Sequence, residues 1–559
     1  MGLKQFFCFL ALCLPATFCH GQIKGFACPL DTTIFLSGTF GEFRGSHFHA
    51  GIDIRTFGME GLPVKCAADG YVSRIKISPY GYGKAIYITH PNGYTSVYGH
   101  LSGFPKELHS YIRQHQYKRK AFSVELFPGK NQFRYKKGEI IAYSGNSGGS
   151  YAPHLHFEIR DTRTGEILNP LLFDIGVKDT VAPKLISAFF VEKNRAFKLK
   201  AGEYPEELRI NFGEDSLITC YLKKGEKGLI LAARDFINAD TSNILGSYQV
   251  EICLDSQVVY DRKFSRFSFS DARYIQLISG YKEGLPPLEY CFKEAWNDQK
   301  LCNYYKSGWI SLDFNDRKEY LLKIQISDEA LNSSSKYILI RESGETENYP
   351  EEEMPSDKNG LRSCVFEEAY TFVVNERTLI DFASATFFDS VEVNVLYSEA
   401  GSGSKITIQP VHARTNEKFR ISLPFPEEWK SEEKKACIYR ENGEKLEYLG
   451  GTVHHGKIQT YSRSFGVFGL RIDNLAPEIR FLEIKDRKIY LEAKDDFSGI
   501  KNISGKINGS WFLLEYDPKT DLLTGDIESF SSGEKLEFSL TVSDHRENIS
   551  HFKQIITVP

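Results

Sequence analysis

Residues 151–160 read YAPHLHFEIR, and the alternation inside that run constrains what the surrounding chain can become. It is an apolar, strand-like stretch interrupted by His154 and His156. On a strand, residues two apart share a face, with Cα atoms about 6.6 Å apart. Two imidazoles therefore point the same way where Val or Ile would pack better. A metal accounts for this: one histidine ligates at about 2.0–2.1 Å while the other stands beside a bound water. An exposed-face histidine pair is the plain alternative, so the case depends on what else the chain brings.

The second contribution is HFHAGIDI, with His49 four residues before Asp53. Fully extended, that separation is about 13 Å, too far for one ion. A helix is disfavoured by Gly51 and by the β-branched Ile52 and Ile54. A bend permitted by Gly51 turns both side chains to one point. His49, Asp53 and one histidine of the HxH then make three protein ligands of zinc type, leaving a fourth position for water. His47 reads as a neighbour rather than a ligand. A third element, YTSVYGHLSGF, ends a strand in His100. His90, in ITHPNGY, reads as an ordinary strand-end histidine. Glu158 falls on the same strand face as His156, where it either orients that histidine or makes a surface ion pair.

These segments lie in residues 22–178, a region rich in histidine and in glycine turns. Strand signals run through VKCAADGYVSRIKI, KAIYITH, YTSVYGHL and EIIAYSG, split by Asp-Gly, Asn-Gly and Gly-Asn-Ser-Gly turns. One helix interrupts them: Phe104, Leu108, Tyr111, Ile112 and His115 recur at helical spacing, with Pro105 suited to the first turn. Its basic end, RQHQYKRK, reads as a solvated face.

A chain of 559 residues is too long for one core. Its 30 Tyr and 41 Phe against 3 Met, with frequent Gly and Pro, favour β-structure. DTVAPKL from Asp179 is echoed by DNLAPEI from Asp473, and ISDEALNSS by VSDHRENIS, each pair preceding strand-like runs. The repeat predicts two sandwiches of one Ig-like type, 179–341 and 472–559, with a further β-sandwich at 342–471. GETENYPEEEMPSDKNG is the expected flexible entry to the middle one. His454 and His455 have no acidic residue at ligand spacing and read as surface residues.

The net charge of −4 gives no sign of a nucleic-acid partner, and no internal run reaches the about 18 apolar residues of a membrane span. Residues 1–21 read as a signal peptide: Lys4 supplies the charge, Phe6 to Ala16 the apolar core, and small residues allow cleavage before Gln22. Export to the periplasm or cell envelope is expected. A lipid anchor at Cys19 is disfavoured by Phe18, which stands where such sites take a small residue. Eight cysteines remain after cleavage; Cys220 with Cys253, and Cys291 with Cys302, are conceivable pairs.

In order, HFHAGID, GLPVKCAADGYVSRI, GYGKAIYITHPNGYTSVYGHL, KKGEIIAYSGNSGGS and APHLHFEIRD resemble the M23 (lysostaphin/LytM-type) zinc endopeptidases over about residues 40–173. The resemblance implies a mainly β chain: an N-terminal LytM-type antiparallel catalytic domain with a short inserted helix, followed by several sandwiches. It implies Zn²⁺ held by His49, Asp53 and His156, with His100 and His154 as the catalytic pair. It also implies a peptidoglycan peptide substrate, cut in cross-links or stem peptides. Departures are Ala152, where the family often has glycine, and the long insert 101–137, which bears on access to the groove. There is no HExxH, so a glutamate base of the zincin kind is not expected. The alternative is a wall-binding regulator that keeps the fold and activates another hydrolase. The sandwiches, without a catalytic cluster of their own, serve as spacers or hold a protein or glycan partner.

Overall fold

Period-two alternation carries through nearly every described segment. The structure is a computed structural model. It describes residues 25–559 apart from 32–33, 45–46, 194–208, 238–244, 273, 281–284, 294–300, 345–360, 366–367, 376, 388–390, 401–402 and 411–413. The signal segment, Cys19 and almost all of the acidic entry lie outside the described residues. No described helix is long and apolar enough to cross a membrane.

The N-terminal region runs β1 (Leu36–Gly38), β2 (Phe43–Arg44), β3 (His47–Phe48), β4 (Ile52–Arg55), β5 (Pro63–Lys65), β6 (Gly70–Ile77), β7 (Lys84–Thr89) and β8 (Tyr94–Leu101). Helix α1 (Lys106–Arg119) follows, then β9 (Val124–Leu126), β10 (Arg134–Tyr135), β11 (Ile140–Tyr143), β12 (His154–Asp161) and β13 (Ile167–Leu168). The main sheet is antiparallel in the order β1-β4-β12-β8-β7-β6-β10. Strand β12 is central, and its face of Leu155, Phe157 and Ile159 is wholly buried in the core. The polar stripe His154, His156, Glu158 is thereby turned to the opposite face.

Helix α1 forms where its spacing predicts, with Leu108, Ile112 and Gln116 buried. It stops at Lys120, whose left-handed backbone lets its N–H reach the carbonyls of Gln116 and Tyr117. Tyr117 to Lys120 are exposed, as expected of a solvated basic end.

Beyond residue 178 the described strands form three pairs of facing sheets. The first pair shares its core with the N-terminal region: Phe40 stacks on Phe267 at 4.6 Å, and Phe48 meets Phe264 at 5.3 Å. The second and third pairs, from about 361 to 472 and 478 to 557, close over separate cores. The third packs back onto the N-terminal region. Lys84 Nζ donates to Glu515 Oε2 at 2.7 Å, Tyr117 meets Trp511 edge-on, and a cavity of about 230 Å³ separates α1 from this sheet pair. Lys519 Nζ donates to the carbonyl of Ser150 at 3.1 Å and also to that of Asn146.

Cys220 and Cys253 are free thiols, so that pairing is not made. Their strands, 217–222 and 249–254, are separated by strands 333–342 and 319–327 in one sheet. Three inter-strand spacings hold them about 14 Å apart, well beyond disulfide reach. The Cys302 side chain lies outside the described ones.

Candidate metal centre

Register assembles the site. In the β4–β12 ladder Asp53 lies directly opposite His156, and on the other side His156 lies opposite Gly99 of β8. His49, just before β4, is held by backbone bonds on both sides: its N–H donates to Glu42, and its carbonyl accepts from Gly41. The three side chains converge. His49 Nε2 lies 3.1 Å from Asp53 Oδ1, His156 Nδ1 lies 2.9 Å from the same oxygen, and the two nitrogens are 3.1 Å apart. Each residue is 3% exposed. Four-coordinate zinc with bonds of 2.0–2.2 Å separates its ligand atoms by about 3.3–3.6 Å. A nearly equilateral N, O, N triangle of this size needs only a small expansion to hold the ion. His49, Asp53 and His156 therefore fit a zinc ion.

Each ligand is oriented from behind. His49 Nδ1 donates to the Thr39 carbonyl at 2.8 Å, which leaves its Nε2 lone pair for the site. His156 Nε2 donates to Glu158 Oε1 at 2.9 Å, so Nδ1 is the atom it offers. Asp53 keeps Oδ1 for the site because Arg44 Nη2 donates to Oδ2 at 2.7 Å. Gly38 makes room for that pair: a Cβ there would fall 2.2 Å from Arg44 Nη2 and 2.9 Å from Asp53 Oδ2.

Glu158 is fully buried, so of its two readings the orienting one holds. Besides His156 it accepts from the Tyr82 hydroxyl and from Arg160 Nε at 2.6 Å. Burial alone would raise its pKa, but Arg160 and the His156 and Tyr82 hydrogen bonds bring it down to about 2. Burial likewise opposes the charge on His156, yet its hydrogen bonds to Asp53 and Glu158 raise that imidazole to about 9. Asp53, against its own burial, is held well below the usual carboxylate range by His49 and by hydrogen bonds from His154 and His156.

His100 and His154 flank this triangle. Their ring centroids lie 4.8 Å apart, and that of His100 is 5.8 Å from His156. His154 Nε2 lies 3.3 Å from Asp53 Oδ1, while its Nδ1 is 2.9 Å from the Ala152 carbonyl and 3.1 Å from Ser150 Oγ. His100 Nδ1 donates to the Ser147 carbonyl at 2.8 Å. His100 has φ +59°, unusual for a non-glycine, beside an irregularity in β7–β8 pairing, and its N–H donates to Tyr82. Burial, together with the nearby His156 and His154, lowers its pKa to about 3, so it is neutral at physiological pH.

One detail differs from the sequence reading. Gly51 lies at a bend, as expected, but without a positive φ; what demands glycine there is close approach, since a Cβ would fall 2.3 Å from the Phe157 carbonyl oxygen on β12. His47 is exposed on β3, and His454 and His455 are exposed. His90 is buried away from the site, bonded to the Asp69 carbonyl and Ser96. Arg44, Thr39, Tyr82 and Ser147 escaped the sequence reading. Only Arg160 carried a visible signal, as the next member of the 154, 156, 158 stripe.

An open antiparallel sheet bearing two imidazoles and a carboxylate at one point defines a metallopeptidase-type centre. Residues 47–117 match the model of Peptidase family M23. The chain is 32% identical to the DD-carboxypeptidase/endopeptidase Mpg of Neisseria meningitidis over 154 residues, 27% of this chain and 29% of that protein. It is 33% identical to an uncharacterized metalloprotease of Haemophilus influenzae over 155 residues, 26% of this chain and 27% of that protein. The catalytic domain of lysostaphin from Staphylococcus simulans is similar at 25% identity, covering 25% of this chain and 90% of that one, with a TM-score of 0.19. The chain thus spans under a third of the length of the relatives it matches. Residues 47–117 thus carry the sequence pattern of the M23 peptidase family.

Proposed function

We propose that the chain is a zinc-dependent endopeptidase that hydrolyses peptide bonds in the cross-links or stem peptides of peptidoglycan. The observation that carries this reading is the convergence of His49 Nε2, Asp53 Oδ1 and His156 Nδ1 with two further imidazoles beside them. The Mpg relatives, named for DD-carboxypeptidase and endopeptidase activity, support the substrate class. The leader read at residues 1–21 directs this chemistry to the periplasm or envelope.

His49, Asp53 and His156 would hold Zn²⁺, which when bound polarises a carbonyl and brings the pKa of water toward about 7. Arg44, Thr39 and Glu158 keep the three ligands turned to one point. His100 and His154 do the proton work. The Ser147 and Ala152 carbonyls assign a proton to Nδ1 of each, so Nε2 is the atom that takes or returns a proton beside the scissile amide; that of His154 lies 3.3 Å from Asp53 Oδ1. One takes a proton from the attacking water at Nε2 as the C–O bond forms and returns it to the amine nitrogen as the C–N bond breaks; the other, once it carries a proton at Nε2, donates a hydrogen bond to the oxyanion on the amide carbonyl. The sandwiches position this domain on the wall, the last of them reaching the rim of the site through Lys519.

The test is digestion of purified sacculi by the full chain, with released amino groups counted and fragments identified by mass spectrometry. Zinc-loaded wild type releases new amino termini within stem or cross-link peptides. Binding to sacculi without cleavage would replace this reading with that of a wall-binding regulator.

A further inference from the structure

Two more groups of acidic side chains share no residue with the peptidase site. Asp179, Asp235 and Asp328 each offer a carboxylate oxygen within 4.8 Å of the others, and so do Asp473, Asp495 and Asp544. The groups are built alike. Asp179 and Asp473 each precede the first strand of a sheet pair, 184–192 and 478–485. Asp235 and Asp495 directly follow the antiparallel partners of those strands, 225–234 and 488–494. Asp328 follows strand 319–327, and Asp544 ends strand 535–544.

An asparagine clamps each group in the same way. Asn332 donates its N–H and its amide to the two oxygens of Asp328, at 2.8 and 2.7 Å, and its amide also to the Asp179 carbonyl at 3.2 Å. Asn548 does the same to Asp544, at 2.8 and 2.6 Å, and to the Asp473 carbonyl at 2.9 Å. The echoed sequence motifs therefore encode one repeated constellation.

What marks these as sites is the state of the carboxylates. Asp473 is 1% exposed, and neither of its oxygens has a hydrogen-bond partner. Asp235 is equally buried, with Oδ2 unpartnered, and Asp495 Oδ1 is buried and unpartnered too. None of the six is ion-paired with Lys, Arg or His among the described residues. Burying an unpaired carboxylate is costly, and gathering three multiplies the cost. Burial and the neighbouring Glu329, Asp328 and Asp179 push the Asp235 carboxyl up to about 9, the mark of a group short of positive charge.

We infer that each group binds a hard divalent cation of the Ca²⁺ kind. Oxygens around one Ca²⁺ at 2.3–2.6 Å lie at most about 5 Å apart, which matches the observed clustering, and an all-carboxylate donor set suits this ion over softer metals. The placement gives the ions a task. Asp473 stands between the last two sheet pairs: its N–H donates to Lys435 of the preceding pair, and Arg546 reaches across to Tyr448 and the Ala436 carbonyl. Asp179 stands at the junction with the peptidase domain, where Asn169 donates to Glu329 beside Asp328. Each ion ties the chain entering a sandwich to two loops of that sandwich and so fixes the angle between neighbouring domains.

The experiment is equilibrium dialysis of the full, zinc-loaded chain against Ca²⁺ at about 1 mM, where extracellular Ca²⁺ modules fill. Two Ca²⁺ per chain are expected. The number falls to one in Asp473→Asn/Asp495→Asn and to one in Asp235→Asn/Asp328→Asn. Thermal unfolding guards against misfolded variants: without Ca²⁺ each still unfolds in one cooperative transition, and each loses part of the Ca²⁺-induced rise. A second guard is proteolysis of wild type, in which Ca²⁺ protects the junctions near 179 and 473. No bound Ca²⁺, or a bound number unchanged by both variants, overturns the inference in favour of carboxyls that share protons. None of these readouts depends on peptide cleavage.

Discussion

His156 Nε2 donates to Glu158 Oε1 across 2.9 Å, two positions along one strand and both out of solvent. That bond fixes which imidazole nitrogen faces His49 and Asp53. Glu158→Gln keeps the shape but removes the charge that favours the Nε2–H tautomer. Zinc affinity is expected to fall about 10- to 100-fold, read by competition with a chromophoric chelator. Zinc affinity unchanged in this variant would leave Glu158 a purely structural role.

On the proposed function the five site residues divide into holders and proton carriers, and the division is measurable. His49→Ala and Asp53→Ala are expected to lose both zinc and sacculus cleavage. His154→Ala and His100→Ala keep near-stoichiometric zinc while cleavage falls by about 10² to 10⁴, the usual contribution of one general acid or base. Zinc content by mass spectrometry beside amino-group release separates the classes. A His154→Ala protein that has lost its metal would move that residue among the ligands.

Close approach of β4 to β12 rests on Gly51. In Gly51→Ala the new Cβ meets the Phe157 carbonyl oxygen at 2.3 Å and Glu158 Cγ at 2.9 Å, and backbone cannot yield as a side-chain tip can. The strands must part where Asp53 faces His156. A loss of about 1–3 kcal/mol is expected, in line with overpacking elsewhere. It would be read as a lower unfolding temperature of the peptidase domain, with weaker zinc binding alongside.

Legibility followed the range of each interaction. The HxH stripe, the His49–Asp53 spacing and helix α1 are local patterns, and the site they predict is assembled by the register of β4, β12 and β8. Arg44 was invisible because its tie to Asp53 crosses a hairpin with no motif. The bend at Gly51 was legible, but its second requirement was not: a sequence displays a glycine and not the carbonyl that comes to lie against it. The paired DTVAPKL and DNLAPEI echoes gave the repeat of modules, yet their aspartates drew no notice. The members of one cluster are spread over 149 positions of chain and those of the other over 71, and only folding shows them meeting at one point. The shared core around Phe40, Phe48, Phe264 and Phe267 is likewise a tertiary fact.

His90 supplies a pH dependence independent of the metal site. It is 4% exposed, its Nδ1 lies 2.9 Å from the Asp69 carbonyl, and its Nε2 lies 2.8 Å from Ser96 Oγ, itself 3.0 Å from the Tyr98 hydroxyl. Burial lowers its pKa from 6.5, more than the hydrogen bonds to the Asp69 and Ala68 backbone raise it. The folded state therefore binds this proton less readily than the unfolded one. Its contribution to stability is complete above about pH 6.5 and is lost as pH falls below that value toward the lower folded pKa. His90→Gln cannot titrate, so its unfolding temperature is expected to fall less than that of wild type between about pH 7 and pH 5. Both proteins would be measured at equal zinc loading, so that acid release of metal affects them alike. Parallel curves across that window would show that His90 binds its proton equally well in the folded and unfolded chain and would sink the prediction; a wild type that gains on the variant as pH falls would show a folded pKa above 6.5.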